Sequence, residues 1–152
     1  MNQAEIPVGQ ELIVVEIAGQ RFAVDIMSVR EIRGWSASTR LPHAPEHVLG
    51  MINLRGQVLP VIDFAARLGL GLSDANAASV VIVAEVEGQL FGLLVDAVCD
   101  ILTLQEGMLQ ATPDVGSPAV RTFVRGVITV DTAIITLLAL EPVLPPEALA
   151  AA

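Results

Sequence analysis

Two histidines are the first candidates for metal chemistry, because His43 and His47 are spaced as two ligands on one face of a helix would be. Pro42 and Pro45 flank His43, and prolines in these positions disfavour a continuous helix. Neither a cysteine nor an acidic ligand set lies nearby at metal-binding spacing. The sequence therefore predicts a loop that carries two histidines, with no metal site and no cofactor.

Catalysis would need an activated nucleophile or paired carboxylates, and the sequence shows neither. Cys99 lies among apolar residues and is predicted to be a small residue of the core or of the seam between the two halves. The motifs G-x-S-x-G, G-x-x-x-x-G-K-[ST] and G-x-G-x-x-G do not occur in the sequence. The acidic side chains show no pairing suited to acid–base work; those considered are Asp25, Glu31, Asp63, Asp96 and Asp100. We expect no catalytic residue and no enzymatic activity.

Arg55 is the charged residue with the most unusual surroundings, since it lies in an otherwise apolar segment. A buried or half-buried arginine would need a carboxylate partner, and Glu31 in the same half of the chain is the candidate. An exposed turn arginine explains the same pattern, and the residues alone leave both interpretations open. Trp35, the single tryptophan, is likewise either a core residue or an exposed anchor for a partner.

The composition narrows the class of partner. With 53% hydrophobic and 16% charged residues, the 152-residue chain is predicted to be folded. Its net charge of −9 disfavours nucleic acid and anionic lipid as main partners. The single cysteine fits a reducing, cytoplasmic compartment. The N-terminus does not resemble a signal peptide, and the apolar runs are far shorter than the ~18 residues of a membrane span, so no direct membrane insertion is expected.

Two blocks of sequence recur in the same order. Residues 19–32 resemble residues 88–101, and residues 48–62 resemble residues 124–138. A longer loop in the second half, between residues 105 and 122, accounts for the different spacing of the second pair of blocks. This pattern predicts a duplicated fold with a pseudo-twofold axis.

The duplication divides a single domain, residues 1–152, into two subdomains of roughly residues 11–70 and 80–142, and the C-terminal strand region is allowed to exchange between them. Short strands separated by turns predict an all-β fold of small barrels. In the first half, strands are predicted at Glu11–Ala18, Arg21–Asp25, Arg30–Gly34, Gly50–Leu54 and Gln57–Ile62. The elements between and after them are a turn at Gly19-Gln20, a helical turn over Ile26–Val29 capped by Asp25, a hairpin or sharp bend at Arg55-Gly56, an edge or bulge at Pro60, and a helix at Ala65–Leu68.

The run Gly50-Met51-Ile52-Asn53-Leu54-Arg55-Gly56-Gln57-Val58-Leu59-Pro60-Val61-Ile62-Asp63 resembles the CheW-type chemotaxis coupling proteins. Residues 31–34, Leu41-Pro42, Pro45 and residues 80–101 are similar to the same family, and the resemblance covers roughly residues 11–142. It implies two SH3-like five-stranded β-barrel subdomains with short helices. It also implies a non-catalytic adaptor that couples methyl-accepting chemoreceptors to a CheA-type histidine kinase, in the cytoplasm and recruited to membrane-associated receptor arrays.

The resemblance also implies roles for individual residues. The helical hairpin at the receptor's cytoplasmic tip would bind a groove formed by Ile26, Val29, Ile32, Val95 and Val98. Glu31 and Arg55 would form a functional or structural ion pair, Gly50, Gly56 and Gly92 match the family's glycines, and Val58 would contact the regulatory domain of the kinase.

Two alternative functions stay open at this point: an adaptor of a related chemosensory-like pathway such as twitching motility, and a small-ligand-binding β-barrel. The ligand-binding alternative would need convergent polar groups, which the sequence does not show. The chain departs from the family at Asp131-Thr132, where the last hairpin lacks the usual glycine or asparagine. A tail with three prolines, residues 142–152, predicts a short or absent terminal helix.

Overall fold

The computed structural model of the protein describes residues 9–35, 48–71, 78–110 and 122–140, and most of these lie in β-strands. In chain order the elements are β1 (Glu11–Ile17), β2 (Gln20–Asp25), a 3₁₀ turn (Ile26–Ser28), β3 (Val29–Gly34), β4 (Val48–Leu54), β5 (Gln57–Asp63), α1 (Phe64–Arg67), β6 (Val80–Val86), β7 (Gln89–Val95), β8 (Ala97–Thr103), β9 (Leu109–Gln110), β10 (Val124–Val130) and β11 (Ala133–Leu138). The predicted all-β fold is confirmed.

Local turn chemistry accounts for the hairpins. In the β1–β2, β4–β5 and β6–β7 hairpins, both turn residues have positive φ, and the second is a glycine. Such two-residue turns match the right-handed twist of the paired strands. The first turn is Ala18-Gly19, one residue earlier than predicted, because Ile17 pairs with Gln20. In the last hairpin, β10–β11, which lacks the usual glycine or asparagine, Asp131 is the turn residue with positive φ.

The strands form two sheets that reflect the duplication. One sheet has the order β8-β1-β2-β11-β10-β9 and the other has the order β3-β6-β7-β5-β4. Apart from β9, each sheet combines the first two strands of one sequence half with the later three strands of the other half. The parallel pairs β2–β11 and β5–β7 join the halves within each sheet. The exchange between halves therefore involves much more than the C-terminal strand region.

The six-stranded sheet has one strand more than predicted. β9 comes from the longer loop of the second half and pairs with β10 at only two positions, Gln110 with Val127 and Leu109 with Ile128. Pro60, predicted at an edge or bulge, lies just before the three residues of β5 that pair with β7. It is thus placed where β5 is paired on the β4 side alone, as suits a residue without an N–H.

Three apolar clusters form the core, and the alternation of side chains along each strand assigns residues to them. In β1, Ile13, Val15 and Ile17 belong to a cluster shared by both sheets, whereas Leu12 and Val14 belong to a cluster within the six-stranded sheet. A third cluster lies within the five-stranded sheet. Strands that are buried on both faces need apolar residues at successive positions, which explains the unbroken apolar runs of β1 and β6.

Glycines make room on the inner face of the five-stranded sheet, the face that carries the third cluster. Gly92 and Gly50 both lie opposite Val61, one in each neighbouring strand. A Cβ atom on Gly92 would lie 2.8 Å from Cγ1 of Val81, closer than real contacts allow. The same face continues to the sheet edge, where Val83 of β6 lies between Gly92 and Glu31.

Candidate functional site

The 3₁₀ turn at residues 26–28 is where the two sheets come together at the surface. It contacts β1 of one sheet and β6 of the other. The Asp25 carboxylate accepts a hydrogen bond from the Met27 N–H at 2.9 Å, which confirms the predicted cap. The Arg30 guanidinium donates to the Met27 carbonyl at 3.3 Å and also pairs with Glu85 at 2.7 Å. The backbone of the turn is therefore held on both sides of Met27.

Three of the residues predicted for a receptor groove lie at the margin of the core shared by the two sheets. Ile26, Val29 and Val98 are half-buried and pack against this core. Val29 on β3 pairs with Ala84, and Val98 on β8 pairs with Val15. Both of these partners are fully buried in the shared core. The structure thus brings the two predicted valines, one from each sheet, to the same apolar interior.

The other two predicted groove residues differ from each other. Ile32 pairs with Ile82, a shared-core residue, so it lies on the same face of β3 as Val29 and is exposed. Val95 is only 1% exposed and is itself part of the shared core. It lies at the end of β7, a central strand covered on both faces, so it supports the surface from below instead of forming it.

Two exposed apolar residues extend this surface beyond the sequence prediction. Met27 is 71% exposed and lies in the 3₁₀ turn between Ile26 and Val29. Ile101 is exposed on β8 and pairs with Ile13, which is part of the shared core. We call the combined set the apolar rim; it consists of Ile26, Met27, Val29, Ile32, Val98 and Ile101.

A β-bulge explains why sequence reasoning missed Ile101. Val14 pairs with Asp100 whereas Val15 pairs with Val98, so Cys99 is an extra residue in β8. The bulge puts Val98 and Ile101 on the same face although they are three residues apart. Cys99 itself is exposed, so the prediction of a core or seam residue is wrong in its core alternative. A strict two-residue alternation along β8 would have placed Ile101 on the opposite face.

The predicted partners Glu31 and Arg55 are in contact. Nη2 of Arg55 lies 2.5 Å from Oε1 of Glu31, and Nη1 of Arg33 lies 3.3 Å from Oε2 of Glu31. Glu31 is on β3, and Arg55 is in the turn that follows β4. Because β3 and β4 are the two edges of the five-stranded sheet, this ion pair joins opposite edges and closes the sheet on itself.

Arg55 is an exposed turn arginine, the second of the two interpretations that the sequence left open. Its side chain is 73% exposed, and its φ of 51° is that of a left-handed turn residue. Gly56 adopts a φ of 86°, and its N–H donates to Oδ1 of Asn53 at 2.8 Å. The turn thus has a fixed shape that directs the guanidinium towards β3.

Glu31 is a single carboxylate paired with two guanidinium groups, those of Arg33 and Arg55. The hydrogen bond from Arg55 holds the pKa of the Glu31 carboxyl below its ordinary value, against the opposing effect of partial burial and with help from Arg33. Two guanidinium groups and one carboxylate leave a local positive charge on a protein whose net charge is −9. Val58, which is exposed, lies three residues beyond Arg55 on β5.

The described ranges contain no group of three histidine, cysteine, aspartate or glutamate residues that could hold a metal ion. His43 and His47 lie outside those ranges, as does the tail from residue 141. Within the part of the chain that the structure describes, no helix has the length and apolar character needed to cross a membrane.

Trp35 is half-buried and packs against the cluster within the five-stranded sheet, so it is closer to a core residue than to an exposed anchor.

Two β-sheets that each combine strands of both sequence halves pack on a shared core, with an apolar rim where they meet, and these features define a duplicated SH3-like all-β protein. The family model described as the CheW-like domain matches residues 11–147. The chain therefore belongs to the CheW-like family, in agreement with the resemblance seen in its sequence.

Individual relatives agree with this assignment. The chain is 50% identical over 139 residues to the chemotaxis protein CheW of Rhizobium meliloti (strain 1021), covering 91% of this chain and 90% of that protein. It is 50% identical over 141 residues to a probable chemotaxis protein CheW of Rhizobium etli, covering 93% and 88%. The crystal structure of the scaffolding protein TtCheW from Thermoanaerobacter tengcongensis superposes with a TM-score of 0.81 at 32% identity, covering 89% of this chain and 92% of that chain.

Proposed function

We propose that this protein is a non-catalytic adaptor that couples methyl-accepting chemoreceptors to a CheA-type histidine kinase in bacterial chemotaxis. The observation that carries the proposal is the apolar rim, to which both sheets contribute half-buried or exposed aliphatic side chains over one shared core. Family membership supports it, since relatives are named as chemotaxis proteins and one is described as a scaffolding protein.

The apolar rim suits a helical partner. A receptor tip is a helical hairpin, and a helix can lay an apolar stripe along an apolar surface. Each aliphatic side chain that becomes buried contributes ~1.5–3 kcal/mol before the costs of association are subtracted. Ile26, Val29 and Val98 already pack on a rigid core, so little side-chain freedom is left to lose when the partner binds.

The kinase would bind a different surface. Val58 is an exposed apolar residue on β5, three residues beyond Arg55, which is itself exposed and paired with Glu31. An exposed apolar residue on the strand that follows an exposed arginine turn would suit a partner surface that combines an apolar pocket with a carboxylate. In this proposal the regulatory domain of the kinase binds at Val58, and the ion pair shapes the surface that it meets.

The remaining family-type residues act through the scaffold. Gly92 leaves room for Val81 on the inner face of the five-stranded sheet, Gly50 lies opposite Val61 on the same face, and Gly56 shapes the turn that presents Arg55. The protein would act in the cytoplasm and join membrane-associated arrays through its receptor partner, without inserting into the membrane itself.

Co-sedimentation with receptor-tip fragments assembled on vesicles and with a CheA-type kinase tests the proposal. Val29→Glu places a charge on the apolar rim, whereas Ile134→Glu places the same charge at an apolar residue that is 67% exposed on β11, away from the rim. We expect Ile134→Glu to co-sediment as the unmodified protein does and Val29→Glu to stay in the supernatant. Undiminished co-sedimentation of Val29→Glu, or none by the unmodified protein, would contradict the proposed function.

A further inference from the structure

Met27 differs from the other described methionines in the access that solvent has to its side chain. Met27 is 71% exposed, more than any other large apolar residue that the structure describes. Met51 and Met108 are half-buried, and the Met108 sulfur accepts a hydrogen bond from the Gln105 N–H at 3.0 Å. Among the described methionines, Met27 is therefore the one that a reagent attacking thioether sulfur reaches with the least hindrance.

The surroundings of Met27 hold its side chain outward. Its N–H is bound by the Asp25 carboxylate and its carbonyl by the Arg30 guanidinium, so the backbone cannot turn the side chain away without losing both contacts. Ile26 and Val29 on either side pack against the shared core, whereas Met27 is not among the residues packed there. The thioether thus projects from the middle of the apolar rim.

We propose that Met27 is an oxidation site at which a peroxide-class oxidant converts the apolar rim from a binding to a weakly binding state. This inference rests on the proposed function, because it concerns the surface to which the receptor helix would bind. Methionine suits such a position chemically, since a flexible thioether adapts to a helical partner, and its oxidation is reversible by sulfoxide reductases.

The chemical step is a two-electron oxygen transfer. The Met27 sulfur attacks one oxygen of hydrogen peroxide, an S–O bond forms and the O–O bond breaks. The sulfur is oxidised to the sulfoxide, and the peroxide, after proton transfer, is reduced to water. The product has a strong S–O dipole in place of an apolar thioether, so burying it against an apolar helix leaves a polar oxygen without a hydrogen-bond donor.

The test uses the full chain carrying Cys99→Ala, because the exposed Cys99 thiol would react with the same reagent. The protein is treated with graded hydrogen peroxide, and peptide mass spectrometry gives the order in which its methionines are oxidised. The affinity for a receptor-tip fragment is measured in parallel. We expect Met27 to be oxidised ahead of Met51 and Met108, and the affinity to fall by about tenfold as one apolar contact is lost.

Two variants separate this site from general damage. Met27→Leu keeps an apolar side chain of similar volume that cannot form a sulfoxide, so whatever affinity this variant has before peroxide treatment should be the same after it, whereas Met108→Leu should lose affinity on treatment as the parent does. Faster oxidation of Met51 or Met108, or full affinity with Met27 completely oxidised, would overturn the inference and leave the proposed function intact. If the untreated protein fails to bind the fragment, the proposed function fails and the regulatory role fails with it.

Discussion

The two faces of the five-stranded sheet differ in the kind of side chain that they expose, and β3 shows the contrast within one strand. Val29 and Ile32 lie on the face that meets the other sheet, where they continue the apolar rim. Glu31 and Arg33 lie on the inner face and meet Arg55 across the gap between the sheet's edges. One face thus leaves apolar side chains incompletely covered, whereas the other pairs its carboxylate with two arginines that stay accessible to solvent.

This difference between the faces predicts which substitutions change the affinity for a partner and which change the stability of the fold. Apolar side chains at the rim are incompletely covered, so a partner that covers them gains free energy. On the inner face, the glycine and valine row is already closely packed, so a partner would bury little additional apolar surface there. Substitutions on the outer face should therefore affect binding, and substitutions on the inner face should affect stability.

Val29→Glu should have the largest effect, and that effect should be on binding. The substitution removes an apolar contact and requires a charge to be buried under the partner helix, so affinity for a receptor-tip fragment should fall by more than about a hundredfold. Val29 is half-buried at the margin of the core, so the glutamate can turn outward and the fold should persist. Isothermal titration calorimetry and thermal unfolding measure the two effects separately. A large loss of stability together with the loss of binding would contradict the prediction that this face affects binding and not stability.

Gly92→Ala should have the next largest effect, and that effect should be on stability. The added methyl group meets Val81 at 2.8 Å, and overpacking of this kind costs about 1–3 kcal/mol of unfolding free energy. Gly34→Ala is the matched control, since a Cβ atom there meets nothing within 4 Å. Urea denaturation compares the two variants. Equal midpoints would show that the inner face is less tightly packed than the structure indicates.

Glu31→Ala and Arg55→Ala should each destabilise the protein less than Gly92→Ala, because the pair is exposed to solvent. Their effects should not add, since either substitution removes the same contact. A double-mutant cycle of urea midpoints measures the coupling, and Arg21→Ala, on the other sheet, serves as an unrelated arginine control. Additive losses would mean that the sheet is closed by its backbone and apolar packing alone.

The pH dependence of the ion pair should be the smallest effect. Since Arg55 lowers the pKa of Glu31 in the folded protein, its stabilisation is complete above the ordinary carboxyl pKa of 4.5 and is lost as the pH falls through the lower folded value. The stability difference between the unmodified protein and Glu31→Gln should therefore be constant near neutral pH and shrink below about pH 4.5. Carboxyl NMR titration should show the Glu31 pKa rising in Arg55→Ala. An unchanged titration would assign the shift to another group.

The elements that sequence analysis predicted correctly are those set by neighbouring residues. The Arg55-Gly56 turn and the Asp25 cap depend on the conformations of single residues and their immediate neighbours, so the sequence carries their signal directly. The Glu31–Arg55 contact was named as a candidate because an arginine in an apolar segment limits the choice of partners.

The features that were missed depend on contacts distant in sequence. Nothing local marks the Cys99 bulge, which places Ile101 on the rim and exposes the cysteine. The burial of Val95 follows from the exchange of strands between the halves, which puts β7 in the centre of its sheet. In the sequence of a duplicated β fold, an apolar residue that is buried beneath a surface, such as Val95, cannot be distinguished from one that is exposed on it.

The central claim is that the apolar rim, contributed by both sheets, is the surface on which a helical partner binds. Titrating the isotope-labelled protein with a receptor-tip helical hairpin and following its methyl NMR signals tests this claim directly. The account predicts that the largest shifts occur at Val29, Ile32, Val98 and Ile101, while Ile134 is unchanged. Shifts concentrated at Ile134 and along β10 and β11, with the rim unaffected, would contradict it.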